Sequence, residues 1–263
     1  MNRYDNENNI ISDFQFIQDD FVLLFNSTKT AKKIYHSIHS KEQWKKWVNS
    51  SGKSDPPPDF YSVKNKWMMD VMRIDDHAYI DKDGKVKNPT NARESKLYKE
   101  LKDSGILEFF PNADIHINAI TDLPTEQDHN YTYYQSNFER VVSGHIKKIP
   151  LYQSNHPGYK TIFFVNDESS AYGQAVSEKP DMNCLQKGDA TEVKIHYFFL
   201  DKKFVNVFAG TSIDYLIWFA PFKRFKSMEG IVKLPKAVIY DCKKIRTRDL
   251  VEYNCDKMVS TDL

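Results

Sequence analysis

Asp55-Pro56-Pro57-Pro58-Asp59-Phe60-Tyr61-Ser62, followed after a polar turn by Trp67-Met68-Met69-Asp70-Val71-Met72-Arg73-Ile74, is the stretch from which the fold is read. Three successive prolines remove three backbone donors and cannot continue a helix, so the chain delivers Asp59 on an extended arm. Lys64-Asn65-Lys66 makes the turn, and residues 67–74 read as a strand rich in Met and Val. Asp70 interrupts that apolar run. Asp75-Asp76-His77 lies at or just past its end.

Towards the N-terminus, Phe21-Val22-Leu23-Leu24-Phe25 is a short strand, and residues 1–20 read as a loose polar lead-in. Asn26-Ser27-Thr28 supplies cap chemistry for a helix whose apolar face carries Ala31, Ile34, Tyr35 and Ile38. Ser40 with Gln43 forms a capping box for a second helical segment bearing Trp44, Trp47 and Val48. Towards the C-terminus, a helix spans about 91–104, ended by Gly105, and residues 113–120 alternate like a strand. Helical spacing returns over 131–146 through Tyr134, Phe138, Val141, Val142 and Ile146. Beyond it the chain reads mainly as strand: 161–165, a hairpin of 193–200 with 204–208 around Asp201-Lys202-Lys203, then 213–219 and 231–240. This order implies an α/β fold, with mixed α+β as the variant, built on a central mixed β-sheet flanked by helices. We expect one domain over 1–263, with a candidate subdomain boundary near 121–129, where the chain is polar and holds Pro124.

Composition narrows the function classes. A net charge of +1 excludes a whole-surface basic field for nucleic acid, leaving local patches at Lys223, Arg224 and Lys226 and at Lys243, Lys244, Arg246 and Arg248. Cys184, Cys242 and Cys255 are odd in number and lack a Cys-x-x-Cys spacing, which argues against a disulfide framework. The polar N-terminus lacks the basic start and apolar run of a signal peptide, and Tyr215–Ala220 is far too short to span a bilayer. We therefore expect a soluble cytoplasmic protein with no membrane partner and no identified protein partner. No phosphate-cradling glycine motif and no Gly-x-Ser-x-Gly elbow occurs.

Two carboxylates on neighbouring strands can share Mg²⁺ or Mn²⁺, because hard cations take oxygen ligands. Asp59 and Asp70 are the first such pair. Here the chain resembles the restriction-endonuclease-like, or PD-(D/E)xK, superfamily: Pro58-Asp59, a gap, then Asp70-Val71-Met72. The resemblance covers roughly residues 30–120. It implies a helix before the strands, a hairpin carrying the motif, then a helix and a further strand. It also implies a Mg²⁺-dependent hydrolase of nucleic acid phosphodiesters, with Asp59 and Asp70 as metal ligands. Met72 stands where the family has lysine, and a methionine can neither orient nor deprotonate water. Lys66, or Arg73, is the nearest basic replacement. The alternative is a non-catalytic module that binds protein or nucleic acid through a degenerate nuclease-like site.

Pro180-Asp181, a gap of the same length, then Glu192-Val193-Lys194 matches the pattern with its lysine, so Glu192 and Lys194 form a weaker second catalytic candidate. Asp181, however, follows a polar loop instead of an apolar strand. Asp167-Glu168, at the end of strand 161–165, is a third candidate, because ligands bind at strand ends in α/β folds. His36 and His39 lie three apart on a helix without a third metal ligand. Tyr131, Tyr133 and Tyr134 can stack on bases, but this aromatic content is better explained by packing.

Overall fold

A computed structural model describes residues 3–26, 28–50, 57–77, 79–109, 129–176, 192–227 and 230–261. The helices among them are α1 (Arg3–Gln15), α2 (Lys29–His39), α3 (Lys41–Trp44), α4 (Pro89–Asp103), α5 (Ile106–Phe109), α6 (Tyr131–Ile146), α7 (Ile149–Asn155) and α8 (Lys202–Phe208). The central sheet uses β1 (Val22–Leu24), β2 (Val48–Asn49), β3 (Phe60–Ser62), β4 (Trp67–Ile74), β7 (Lys160–Asp167), β10 (Tyr215–Phe219) and β13 (Ala237–Asp241). Their order is β1-β13-β10-β7-β4-β3-β2. β2, β3 and β4 form an antiparallel meander, whereas β4, β7 and β10 run parallel. A mixed α/β fold on a central sheet is what the order of elements predicted.

The pleat explains the layers. Alternate residues of a strand face opposite sides of its sheet. Met68, Met72, Phe163, Val165, Leu216, Trp218, Val238 and Tyr240 face a core completed by α6, α7 and α8. Met69, Val71, Ile162, Phe164, Ile217 and Ile239 face the other core, closed by α1 and α2. Burying a Phe or Ile side chain stabilises by about 1.5–3 kcal/mol, so β7, with Ile162, Phe163, Phe164 and Val165 fully buried, anchors the sheet together with β10, where Leu216, Ile217 and Trp218 are fully buried. Asp70 shares the parity of Met68 and Met72 and so faces α6 and α7.

Small sheets flank this core: β5 (Tyr79–Ile80) with β6 (Val86–Lys87), β11 (Phe225–Ser227) with β12 (Gly230–Val232), and β8 (Tyr172–Ala175) between β9 (Val193–Ile195) and β14 (Met258–Ser260). No helix among the described residues is long and apolar enough to cross a membrane.

Two expectations are corrected. The lead-in contains α1, whose Ile10, Ile11 and Phe14 are buried against α2 and the sheet. These residues follow helical spacing inside a polar sequence, and tertiary burial outweighs the weak local signal. Residues 204–208 are helical, not the second arm of a hairpin. Asp201 caps α8 by accepting from the Lys203 N–H at 2.9 Å, and Phe204, Val205 and Phe208 form a buried face. The expected strand over 113–120 and most of the boundary at 121–129 lie outside the described residues.

Candidate functional site

The β3–β4 register places Asp59 beside Asp70. Phe60 pairs with Met69, Tyr61 with Met68 and Ser62 with Trp67, so the next position out sets Asp59 opposite Asp70. Directly opposed side chains in an antiparallel pair have Cβ atoms about 5 Å apart, and here the two carboxyl groups are in hydrogen-bond contact. The arm before them is pinned. Ser50 donates its N–H to the Asp59 carbonyl at 2.8 Å and its hydroxyl to the Pro58 carbonyl. Asn155, at the end of α7, donates to the Pro57 carbonyl at 2.7 Å. Asp59 Oδ2 accepts the Val71 N–H at 2.8 Å, where the β3 ladder has ended.

Two further side chains reach Asp70 from the crossover helices. His145 Nδ1, in the last turn of α6, and the Tyr152 hydroxyl of α7, at 2.8 Å, both contact Asp70 Oδ2. Where Nδ1–H donates to the carboxylate, the second ring nitrogen, Nε2, is left free of that contact. Asp70 is 4% exposed, so its charge is stabilised by these donors and not by water. Tyr152→Phe deletes a buried hydrogen bond to a charged group. We expect a loss of about 1.5–3 kcal/mol, readable by urea unfolding, with the fold retained.

Burial, the neighbouring Asp70 charge, the charge of Glu7 and the shared hydrogen bond push the Asp59 carboxyl up to about 8, against the opposing Val71 N–H. Between the ordinary aspartate range and pH 8, the native chain therefore holds a proton that the unfolded chain has released. Stability from this group is complete in acid and is lost as pH rises towards 8. Groups facing it are Asp70 and Glu7, with His145 and Tyr152 on Asp70. In EDTA, unfolding free energies at pH 5 and pH 8 should show wild type losing more stability on going to pH 8 than Asp59→Asn. Equal losses would remove this account of the pair.

The other sequence candidates are not brought to this pair. Lys66 is exposed in the β3–β4 turn at positive φ, four residues from Asp70, or about 13 Å along the strand. Its carbonyl accepts from the Lys160 N–H. Arg73 is on the opposite face of β4 from Asp70 and pairs with Glu168. Met72 is buried in the core beneath α6. Glu192 and Lys194 are exposed at β9, on the edge of the separate three-stranded sheet, and Asp181 lies outside the described residues. His39 is tied to the Ile17 carbonyl at 2.8 Å and stacks on Tyr35.

Asp167 is fully buried at the end of β7. It accepts from the Tyr134 hydroxyl at 2.6 Å, Trp218 Nε1 at 2.8 Å, and the N–H and hydroxyl of Ser169. Lys223, expected on a basic surface, is buried here instead. Its Nζ lies 3.4 Å from Asp167 and 4.4 Å from the Tyr134 ring centroid, and it donates to the Ser170 carbonyl at 2.9 Å. The patch at Lys243, Lys244, Arg246 and Arg248 is exposed. Beside that patch, at the opposite end of β7 from Asp167, a 620 Å³ cavity is lined by Lys29, Lys160, Lys243 and Lys244 together with Asp214 and Asp241. Tyr131 and Tyr134 are core residues.

A second polar cluster lies past the end of β4. Asp76, His77 and His129 each offer a ligand-type atom, all within 4.8 Å of one another. Asp76 and His77 stand adjacent in sequence, but nothing there points to His129, 52 residues on. His145 and Tyr152 are equally unreadable as partners of Asp70, because only the α6–α7 crossover brings them over β4.

A scan against protein-family models and searches of curated proteins and of solved structures each find no match.

Proposed function

We propose that this chain is a divalent-metal-dependent phosphodiesterase acting on nucleic acid, with Asp59 and Asp70 as its metal-holding pair. The observation that carries this reading is the register that sets the two carboxyl groups in contact directly after Pro58. The donor set suits a hard cation: two adjacent carboxyl groups, one fixed by His145 and Tyr152 on a single oxygen. A divalent ion held there would activate water and neutralise charge on the scissile phosphate.

His145 takes the role that the missing lysine leaves open. Asp70 orients its ring through Nδ1, so Nε2 can accept a proton from an attacking water. The order of elements also supports the reading. Helix α2 precedes the β2–β3–β4 meander, α6 crosses the sheet, and β7 runs parallel to β4. The strand beside β4 is β7; the helix expected over 91–104 is α4, and the strand expected over 113–120 lies outside the described residues.

One observation favours a second reading. Met72 is fixed in the apolar core, which suits a non-catalytic nucleic-acid-binding module. Incubating single- and double-stranded DNA and RNA with wild type in Mg²⁺ or Mn²⁺ separates the two. Cleavage that His145→Ala reduces about 100-fold or more supports the enzyme and the role of His145. Binding without cleavage on every substrate leaves the module.

A further inference from the structure

We propose that Asp76, His77 and His129 form a second metal site, selective for a transition-metal dication of the Zn²⁺ kind and with a coordination position open to an external ligand. Imidazole nitrogens suit Zn²⁺, whereas Mg²⁺ takes oxygens, so the donor set here differs in kind from Asp59 and Asp70.

Geometry carries the assignment. Asp76 is fully buried. Its Oδ2 accepts from the Ser170 N–H at 3.0 Å, the Ser170 hydroxyl at 2.7 Å and the Tyr172 hydroxyl at 2.7 Å. Three donors fix the carboxylate, His129 Nδ1 lies astride it at 3.3 Å from Oδ2 as well, and Oδ1 faces both imidazoles. This is how outer partners orient a metal-ligating carboxylate. Oδ1 lies 3.2 Å from His129 Nδ1 and 3.5 Å from His77 Nε2. Ligands bonded at about 2.0–2.1 Å in a tetrahedron stand about 3.3 Å apart, so both distances match the edges such a site would need. The rings stay apart from one another, with centroids 4.8 Å apart at an interplanar angle of 57°.

Placement also fits. The cluster sits beyond the C-terminal ends of the parallel strands β4 and β7, where α/β sheets bind ligands. His129 immediately precedes Asn130, the N-cap of α6, whose N–H bonds the Asp76 carbonyl. An ion there would join the end of β4 to the start of α6, the helix that carries His145 to Asp70. Three protein ligands leave one tetrahedral position for water or an anion, as in zinc sites that do chemistry.

The test uses the full chain stripped of metal and titrated with Co²⁺ as the visible probe. One equivalent is expected to give wild type the intense visible absorption of a tetrahedral site, distinct from any weakly absorbing uptake at Asp59 and Asp70, and Zn²⁺ is expected to displace it. His129→Ala should weaken binding about 100-fold. His129→Gln provides a milder variant should the alanine chain fail to fold. Asp59→Asn should leave the cobalt spectrum unchanged, and millimolar Mg²⁺ should not compete, so this result stands apart from the nuclease reading. Absence of a tetrahedral spectrum in wild type, or an unchanged affinity in folded His129→Ala or His129→Gln, would overturn the proposal.

Discussion

Asp70→Asn is expected to abolish metal-dependent cleavage while the chain stays folded. The substitution keeps the size of the side chain and an oxygen for Tyr152, but removes the charge that a divalent ion would neutralise. Tyr152 and His145 share one carboxylate oxygen, so the retained amide oxygen can still accept from both, but it holds the imidazole without a charge. Loss of an outer partner typically costs about 10–100-fold in metal affinity or activity. Loss of the charge of a proposed direct ligand should exceed that. Asp59→Asn should act in the same direction. Near-wild-type rates in purified Asp70→Asn would place the activity elsewhere.

Lys223→Ala carries the largest expected effect on stability. Its side chain is 2% exposed and that of the facing Asp167 is fully buried. Removing one partner of a buried pair costs about 3–5 kcal/mol, because the remaining charge stays desolvated. Tyr134, Trp218 and Ser169 still donate to Asp167, so the lower end, about 3 kcal/mol, is expected. For a chain of this size that lowers Tm by about 6–12 °C. Pairing Lys223→Met with Asp167→Asn removes both charges and should recover part of the loss, the non-additivity expected of neighbours. A loss below about 1 kcal/mol in Lys223→Ala, measured by urea unfolding, would contradict the burial of its charge.

The sheet was legible where burial imposes a pattern. The bounds of β4 follow from one Met- and Val-rich run, and those of α6 from Tyr134, Phe138, Val142 and Ile146 at helical spacing. The cap at Thr28 announces α2. α1 escaped because three buried side chains sit among polar ones. The Asp201 segment escaped because Phe204, Val205 and Phe208 fit a short strand as well as a two-turn helix. Half of the candidate site was legible as a juxtaposition: Asp59 and Asp70 are close in sequence, and the polar turn between them implies a hairpin. Their partners come from 75 and 82 residues away, positioned by a crossover that only the fold defines. The Lys223 error has the same origin. A lysine beside Arg224 reads as surface until Asp167 and two serines are folded around it.

The most direct measurement is calorimetric titration of Mg²⁺ into the metal-stripped chain at pH 8, where the Asp59 proton is readily displaced. A saturable site in wild type that is lost in Asp59→Asn and Asp70→Asn, yet intact in a His77→Ala/His129→Ala chain, is the predicted result. No Mg²⁺ binding by wild type, or equal binding by the Asp59→Asn/Asp70→Asn double variant, would contradict it.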